Sequence, residues 1–353
     1  FNATTDQTLI EQLNGTAWKI VKSPNGSKPE DNFLNGVSCA SSTSCWAAGE
    51  YSNGTNDQTL IEHFNGTAWT IAKSPNTSSS QTNILTAVTC ISTTNCWAAG
   101  EHSNGTHDQT LIEHFNGTAW KIYSSPNTSA TQDNDLNAVV CASTTECWAA
   151  GHYSNGTNDQ TLIERFDGTA WKIVSSPNAN TSQNDALTGA VCASTTNCSV
   201  VGYYSNGTNY QTLIEHYNGA AWSLVPSPDA GTNQDNFLYA VTCPSASACW
   251  ATGDFLSGTS YQTLIARYNG TSLSLVSSPN TSPGQNNFLN GVACSSRRAC
   301  TAVGAYFHGR AGQPLVARYN RTSGRIVVPP IATSAYNAPT PPRVPPPPPP
   351  EPP

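Results

Sequence analysis

The motif Gln-Thr-Leu-Ile, or a close variant of it, begins at Gln7, Gln58, Gln109, Gln160, Gln211, Gln262 and Gln313, a period of 51 residues without insertion or deletion. Such a period marks an array of equal supersecondary units, none of which buries its apolar face alone. It overrides the two or three domains that 353 residues would otherwise suggest. Within one period, Phe33 to Ala40, Cys45 to Tyr51, Thr59 to Phe64 and Ala68 to Lys73 have strand length, alternation and β-forming residues. Turn-forming stretches rich in Ser, Thr, Asn and Gly separate them. Asn65-Gly66 falls between two strands, where a two-residue hairpin turn is expected.

Four short antiparallel strands per period, A to D, are the pattern of a β-propeller blade. Residues 1–328 are therefore read as an all-β propeller and residues 329–353 as a Pro-rich extended tail. Six complete units start near Leu34, Leu85, Leu136, Leu187, Leu238 and Leu289, and a C–D hairpin at 7–21 is left over. Six blades with the termini brought together are expected, with seven as the alternative. The surplus hairpin would pair with the last blade, form part of a seventh, or reach a neighbouring molecule. Strand A, with its small residues, would line the channel. Trp18, Trp69, Trp120, Trp171 and Trp222 in strand D, and Trp46, Trp97, Trp148 and Trp250 in strand B, are expected to fill the gaps between blades.

Each full repeat carries two Cys six residues apart: Cys39 and Cys45, Cys90 and Cys96, Cys141 and Cys147, Cys192 and Cys198, Cys243 and Cys249, Cys294 and Cys300. They fall where strand A ends and strand B starts, so the A–B hairpin would bring each pair together as a disulfide. Zinc is excluded, because the spacing is not a CxxC knuckle and no His recurs nearby. Twelve Cys in one spacing point to an oxidising compartment, extracellular or at the cell surface. The absence of Met raises the expectation that an initiator and a signal peptide have been removed.

Sequons begin at Asn2, Asn14, Asn25, Asn53, Asn65, Asn76, Asn104, Asn116, Asn127, Asn155, Asn180, Asn206, Asn269, Asn280 and Asn320. Many are also what a turn followed by a β-residue would contain. Those after strand D, such as Asn76 and Asn127, lack the turn Gly and are read as loops exposed enough to carry glycans.

Charge is divided along the chain. Residues 1–296 hold 21 acids against 8 Lys and Arg, a balance of −13, whereas residues 297–353 balance at +6. Arg297, Arg298, Arg310, Arg318, Arg321, Arg325 and Arg343, with Tyr336, are therefore candidate assembly contacts for the acidic surface of another copy. An acidic chain with so small a basic cluster argues against a nucleic-acid partner, and no apolar run is long enough to cross a bilayer. The tail holds 13 Pro in 25 residues. As a polyproline II rod of roughly 3.1 Å per residue, Tyr336 to Pro353 would reach roughly 55 Å.

Chemistry is sparse. Glu11, Glu62, Glu113, Glu164 and Glu215, followed in three repeats by His63, His114 and His216, recur once per blade. Glycoside hydrolysis needs two carboxylates in one pocket, and this pattern spreads them around the ring. Asp57, Asp108 and Asp159 before strand C, and Asp133, Asp135, Asp185 and Asp235 between blades, form no DxDxDG loop and are read as solvated acids. GxSxG, HExxH, Walker and dinucleotide motifs are missing. No catalytic residue, metal or cofactor is expected.

The units Thr-Leu-Ile-Glu-His-Phe-Asn-Gly-Thr-Ala-Trp and Cys-Trp-Ala-Ala-Gly-Glu-Tyr-Ser-Asn-Gly-Thr resemble a secreted bacterial propeller repeat family of the LIEHWNGTxW and CWAVG type. The resemblance runs from Thr5 to about Val328 and implies a propeller and an extracellular place, with no activity. Asn-Gly-Thr-Ala-Trp is also similar to the end of the sialidase Asp-box, but Phe64 and Phe115 stand where its Asp belongs. The reading that follows is a non-enzymatic structural protein, a glycosylated propeller bead of a head-to-tail homopolymer. The alternatives are a multivalent lectin with one glycan site per blade and, less favoured, a glycosidase-like enzyme.

Overall fold

The computed structural model describes residues 5–15, 17–308, 311–319 and 324–327. The chain is an all-β, six-bladed propeller of four-stranded antiparallel blades, with one additional hairpin at its start. The hairpin is β1 (Ile10–Asn14) with β2 (Ala17–Val21). The first blade comprises β3 (Asn32–Ser41), β4 (Ser44–Ser52), β5 (Asp57–Phe64) and β6 (Trp69–Ala72). The second comprises β7 (Asn83–Ser92), β8 (Asn95–Ser103), β9 (Asp108–Phe115) and β10 (Trp120–Tyr123). The third runs from β11 (Asn134–Ser143) through β12 (Glu146–Ser154) and β13 (Asp159–Phe166) to β14 (Trp171–Val174). The fourth is β15 (Asp185–Ser194), β16 (Asn197–Ser205), β17 (Tyr210–Tyr217) and β18 (Trp222–Leu224). The fifth is β19 (Asn236–Ser245), β20 (Ala248–Ser257), β21 (Ser260–Tyr268) and β22 (Leu273–Leu275). The sixth is β23 (Asn287–Ser296), β24 (Ala299–His308), β25 (Ala311–Tyr319) and β26 (Gly324–Val327).

Strand A is innermost, and it packs on strand A, and on strands B and C, of the blade before it. Strand B is the most buried element. Trp97 is 2% exposed, and Ala98 and Ala99 beside it are fully covered. The repeated Gly of strand B has a steric cause, since a Cβ on Gly49 would lie 2.1 Å from the carbonyl oxygen of Phe33. Strand A carries a register irregularity at that level, between Leu34 and Gly36, and its carbonyl bulges into the space.

The turn between strands C and D differs from the expected two-residue hairpin. Phe64 pairs with Trp69, which leaves a four-residue loop closed by Asn65 N donating to the Ala68 carbonyl at 3.3 Å. The Asn65 Oδ1 accepts from the backbone of Thr67 and Ala68, and only Gly66 takes a positive φ, +91°. The asparagine side chain does the folding that a second left-handed residue would have done.

All six Cys pairs are disulfides, each across the A–B hairpin with Cα atoms 3.9–4.1 Å apart. They imply an oxidising environment. Because each closes a short loop, replacing Cys90 and Cys96 together by Ser is expected to cost roughly 2 kcal/mol. Chemical denaturation of that variant against the unaltered chain measures it.

Candidate functional site

The first three junctions between blades are built from the same parts. The Trp of strand B wedges against the aromatic residues of strands C and D in the next blade. Trp46 lies 4.6 Å from Phe115 and 5.3 Å from Trp120, and Trp97 lies 4.8 Å from Phe166 and 5.4 Å from Trp171. Where strand B has Ser199, the facing strand D has Leu273 in place of Trp, so the wedge and its receptor are lost together. The imidazoles of His63 and His114 stack on Trp46 and Trp97 at 4.1 Å, on the strand face opposite to the adjacent glutamates. Trp46 and its neighbours Ser44, His63, Phe115 and Trp120 border a cavity of about 440 Å³.

Glu62, Glu113, Glu164 and Glu215 are fully buried and lie apart, each at its own junction, whereas Glu11 is half-buried. Ser23, Ser74, Ser125 and Ser176 each donate to both carboxylate oxygens, of Glu62, Glu113, Glu164 and Glu215 respectively, at 2.8–3.1 Å. Desolvation pushes Glu62 up to about 7 and Glu113, Glu164 and Glu215 up to about 8, against the lowering effect of the serine. Beside each serine an Asn clasps the strand: Asn76 Oδ1 accepts from Thr59 N at 2.9 Å, as Asn127 does from Thr110 N at 2.8 Å.

One departure from the repeat is chemical. Glu50, Glu101, His152, Tyr203 and Asp254 are equivalent positions of strand B, and Asp57, Asp108, Asp159, Tyr210 and Tyr261 are equivalent positions at strand C. At the strand C position the first three blades thus place Asp where the fourth and fifth place Tyr, and Tyr203 of the fourth blade packs on Phe237 of strand A in the fifth at 5.1 Å. Asp108 and Asp135, expected as solvated loop acids, instead converge with Glu101, their carboxylate oxygens within 4.8 Å of one another. Sequence spacing hid this because the three come from strands B, C and A of adjacent blades. Burial, then the Asp135 charge, raises Glu101 well above the carboxylate range. Burial opposes ionisation of Asp135, but the His152 hydrogen bond and charge outweigh it and hold Asp135 low. His152 is in turn raised by Asp135 against its own burial, completing an ion pair at 3.1 Å. Among the described residues, these three acids are a group that could hold a hard cation through oxygen.

The junction series has two uncovered ends. The hairpin β1–β2 clasps the first blade as each blade clasps the next: Asn32 N donates to Asp6 O at 3.0 Å, Thr8 N to Asn25 Oδ1 at 3.0 Å, and Ser23 to Glu62. It occupies the place of strands C and D in a blade without strands A and B, and among the described residues β1 pairs only with β2. Val37 of β3 is consequently 65% exposed, where its equivalent Val88 is 8%. At the far end, Val303 of β24 is 40% exposed, where Ala48, Ala99 and Ala150 are fully buried. The packing of strand A on strand A runs from β3 to β23 and is not repeated between β23 and β3. The surplus hairpin therefore does not complete the sixth blade, which has its own outer strand β26.

Of the candidate assembly residues, Arg297 and Arg298 are exposed in the A–B turn of the sixth blade, Arg325 is exposed on β26, and Arg318 is half-buried on β25. Arg310, Arg321, Arg343, Tyr336 and the tail 329–353 lie outside the described residues, as do Asn2 and Asn320. The other sequons divide by environment. Asn25, Asn76, Asn127 and Asn280 are half-buried clasp residues, not the open loops expected. Asn53 and Asn104 are exposed, but their Nδ2 groups donate to Ser79 and Ala130. Asn65 and Asn116 are exposed at outer turns and use only Oδ1.

No protein-family model matches the chain, and no curated protein matches it in sequence. Among solved structures it is similar to a protein from Lactobacillus plantarum, with TM-score 0.52, 10% identity, and coverage of 86% of this chain and 85% of that one. It is also similar to a polysaccharide lyase of family PL25, an ulvan lyase bound to -[GlcA(1-4)Rha3S]-, with TM-score 0.52, 10% identity, and coverage of 80% and 79%. Sqt1 from Chaetomium thermophilum matches with TM-score 0.50, 11% identity, and coverage of 83% and 70%. At these identities the shared property is the propeller fold.

Two outcomes follow from the junction chemistry. A carboxyl raised by burial binds its proton in the folded chain and releases it in the unfolded one, so its contribution is lost as pH rises from about 4.5 towards 8. The melting temperature of Glu113→Gln should therefore exceed that of the unaltered chain at pH 9, with the difference shrinking at pH 5. In a host that glycosylates Asn, glycopeptide mapping should find Asn65 and Asn116 occupied ahead of Asn76 and Asn127.

Proposed function

We propose that this protein is a non-enzymatic structural subunit, a propeller bead of an extracellular head-to-tail fibre or surface layer. The observation that carries the reading is the pair of uncovered junctions, Val37 with the hairpin at one end and Val303 at the other. Two unlike, unsatisfied surfaces on one chain make a heterologous contact, which propagates into a filament when it does not close into a ring. The charge division supports the same polarity, with a −13 balance over residues 1–296 and exposed arginines on the sixth blade. Six disulfides and repeated clasps suit a load-bearing part outside the cell, and the exposed Asn65 and Asn116 suit a glycosylated surface.

A lectin of the sequence-expected kind would offer Trp faces to sugar rings, and Trp46, Trp97 and Trp148 are 1–3% exposed. A glycosidase would need paired acids in an open pocket, and the strand C glutamates stand one to a junction beneath serine caps. Electron microscopy of the native or concentrated protein at low salt is expected to show filaments or sheets with a bead of propeller size, dispersing as salt rises. Separate monomers under those conditions would sink the proposal.

A further inference from the structure

The open edge of β1 lacks a strand B, and the chain carries a sequence with the pattern of one. Residues 331–336, Ile-Ala-Thr-Ser-Ala-Tyr, follow Pro329 and Pro330 and precede Pro339. They align with strand B of the sixth blade, Thr301 to Tyr306, sharing Ala332 with Ala302, Ala335 with Ala305 and Tyr336 with Tyr306. Thr333 replaces the similarly β-branched Val303, and Ser334 replaces Gly304. That last exchange is informative. Strand B needs Gly because the bulged strand A of its own blade would meet a Cβ, and the half-blade has no strand A. We infer that residues 331–336 of a second copy add to β1 as its missing strand B. This inference rests on the fibre reading and names the contact that joins its subunits.

Four features of the acceptor fit that strand. Leu9 and Ile10 are only half-buried, whereas Leu60 and Ile61, their equivalents in the first blade, are fully covered by β4 and the second blade. Val37, left bare at 65%, is covered in later blades by the strand B before it. Trp69 is half-exposed where Trp120 and Trp171 are buried by Trp46 and Trp97. Transferring the register Trp46↔His63 and Tyr51↔Gln58 back by one repeat sets Ile331 opposite Gln12 and Tyr336 opposite Gln7. Ile331 then takes the wedge position on Phe64 and Trp69. A complete blade cannot use this slot, because the hairpin already fills the outer half of it. One added strand can.

The donor is another molecule for a geometric reason. Strand B begins at the end of the blade opposite to where strand D stops, a separation of about 25 Å at roughly 3.3 Å per residue over eight residues. β26 stops at Val327, and only Val328, Pro329 and Pro330 precede Ile331. Those links reach at most about 14 Å, so the strand cannot turn back onto its own hairpin in this direction. Main-chain hydrogen bonds along an open edge supply affinity and the alternate side chains supply register, as in other strand-addition contacts. Arg343 follows the strand in sequence, and the acceptor is acidic: Glu11 lies on β1, Asp6 N donates to Asp31 Oδ1 and Gln7 Nε2 to the Glu30 carbonyl.

The test uses single cysteine variants of the full chain, Gln12→Cys and Ile331→Cys. Mixed one to one under mild oxidation, they should form a covalent dimer that neither forms alone, and the double variant should form a ladder of covalent multimers. A double variant that gives only an internally bridged monomer overturns the intermolecular assignment. Ser334→Pro, which removes a donor directed at β1 because its equivalent Gly49 alternates with Ser52 and faces strand C opposite Leu60, should abolish self-association while leaving the melting temperature unchanged. Filaments that persist in Ser334→Pro without a mixed cross-link overturn the added strand and leave the fibre standing. If the unaltered chain does not self-associate at all, both readings fall.

Discussion

The structure depends on one contact repeated around an axis: strand A of each blade covers strand B of the blade before it. The large apolar term comes from the Trp of strand B lodged between blades, and its polar counterpart is the serine-capped glutamate. A single blade cannot bury its apolar faces alone, because an isolated four-stranded sheet would leave both of them wet. The contact therefore makes stability a property of neighbours, as in other repeat arrays. It also makes the ends of the array costly, since each end exposes half of a junction.

Those ends give the molecule its polarity. The hairpin fulfils every clasp towards the first blade, through Asn25, Ser23 and Asp6, and offers nothing complete in the other direction. Glu11, equivalent to the capped glutamates, shows the difference: burial raises its carboxyl, yet its Oε1 has no serine before it. At the other end, Pro314 replaces the clasping Thr and Ile331 stands where Asn280 would recur, so the sixth blade is not equipped to clasp a seventh. The sequence of clasps stops where the basic residues begin.

Much of this was legible beforehand. Strand positions, the Cys39–Cys45 type of pairing and the interblade role of Trp46 and Trp97 all follow from a strict period, because identical units must meet through identical contacts. Asn76 and Asn127 were misread because a sequon and a strand clasp have the same local spelling, and only the distant Thr59 and Thr110 distinguish them. The convergence of Glu101, Asp108 and Asp135 was invisible for a similar reason. Glu101 and Asp108 lie on paired strands of one blade, and Asp135, 34 residues from Glu101, joins them only after blades are stacked.

The sequence by itself determined the unit: four strands and one disulfide per 51 residues, with a wedge Trp and a strand C glutamate in four of the six blades each, since alternation and local spacing are properties of a short chain segment. Only the tertiary structure decided how the units terminate. Whether the leftover hairpin completes the last blade or stands apart depends on competition for the space before β3, and β26 had already taken the outer place in the sixth sheet. The exposure of Val37 and Val303, whose equivalents Val88 and Val201 are buried valines, is the physical trace of that outcome.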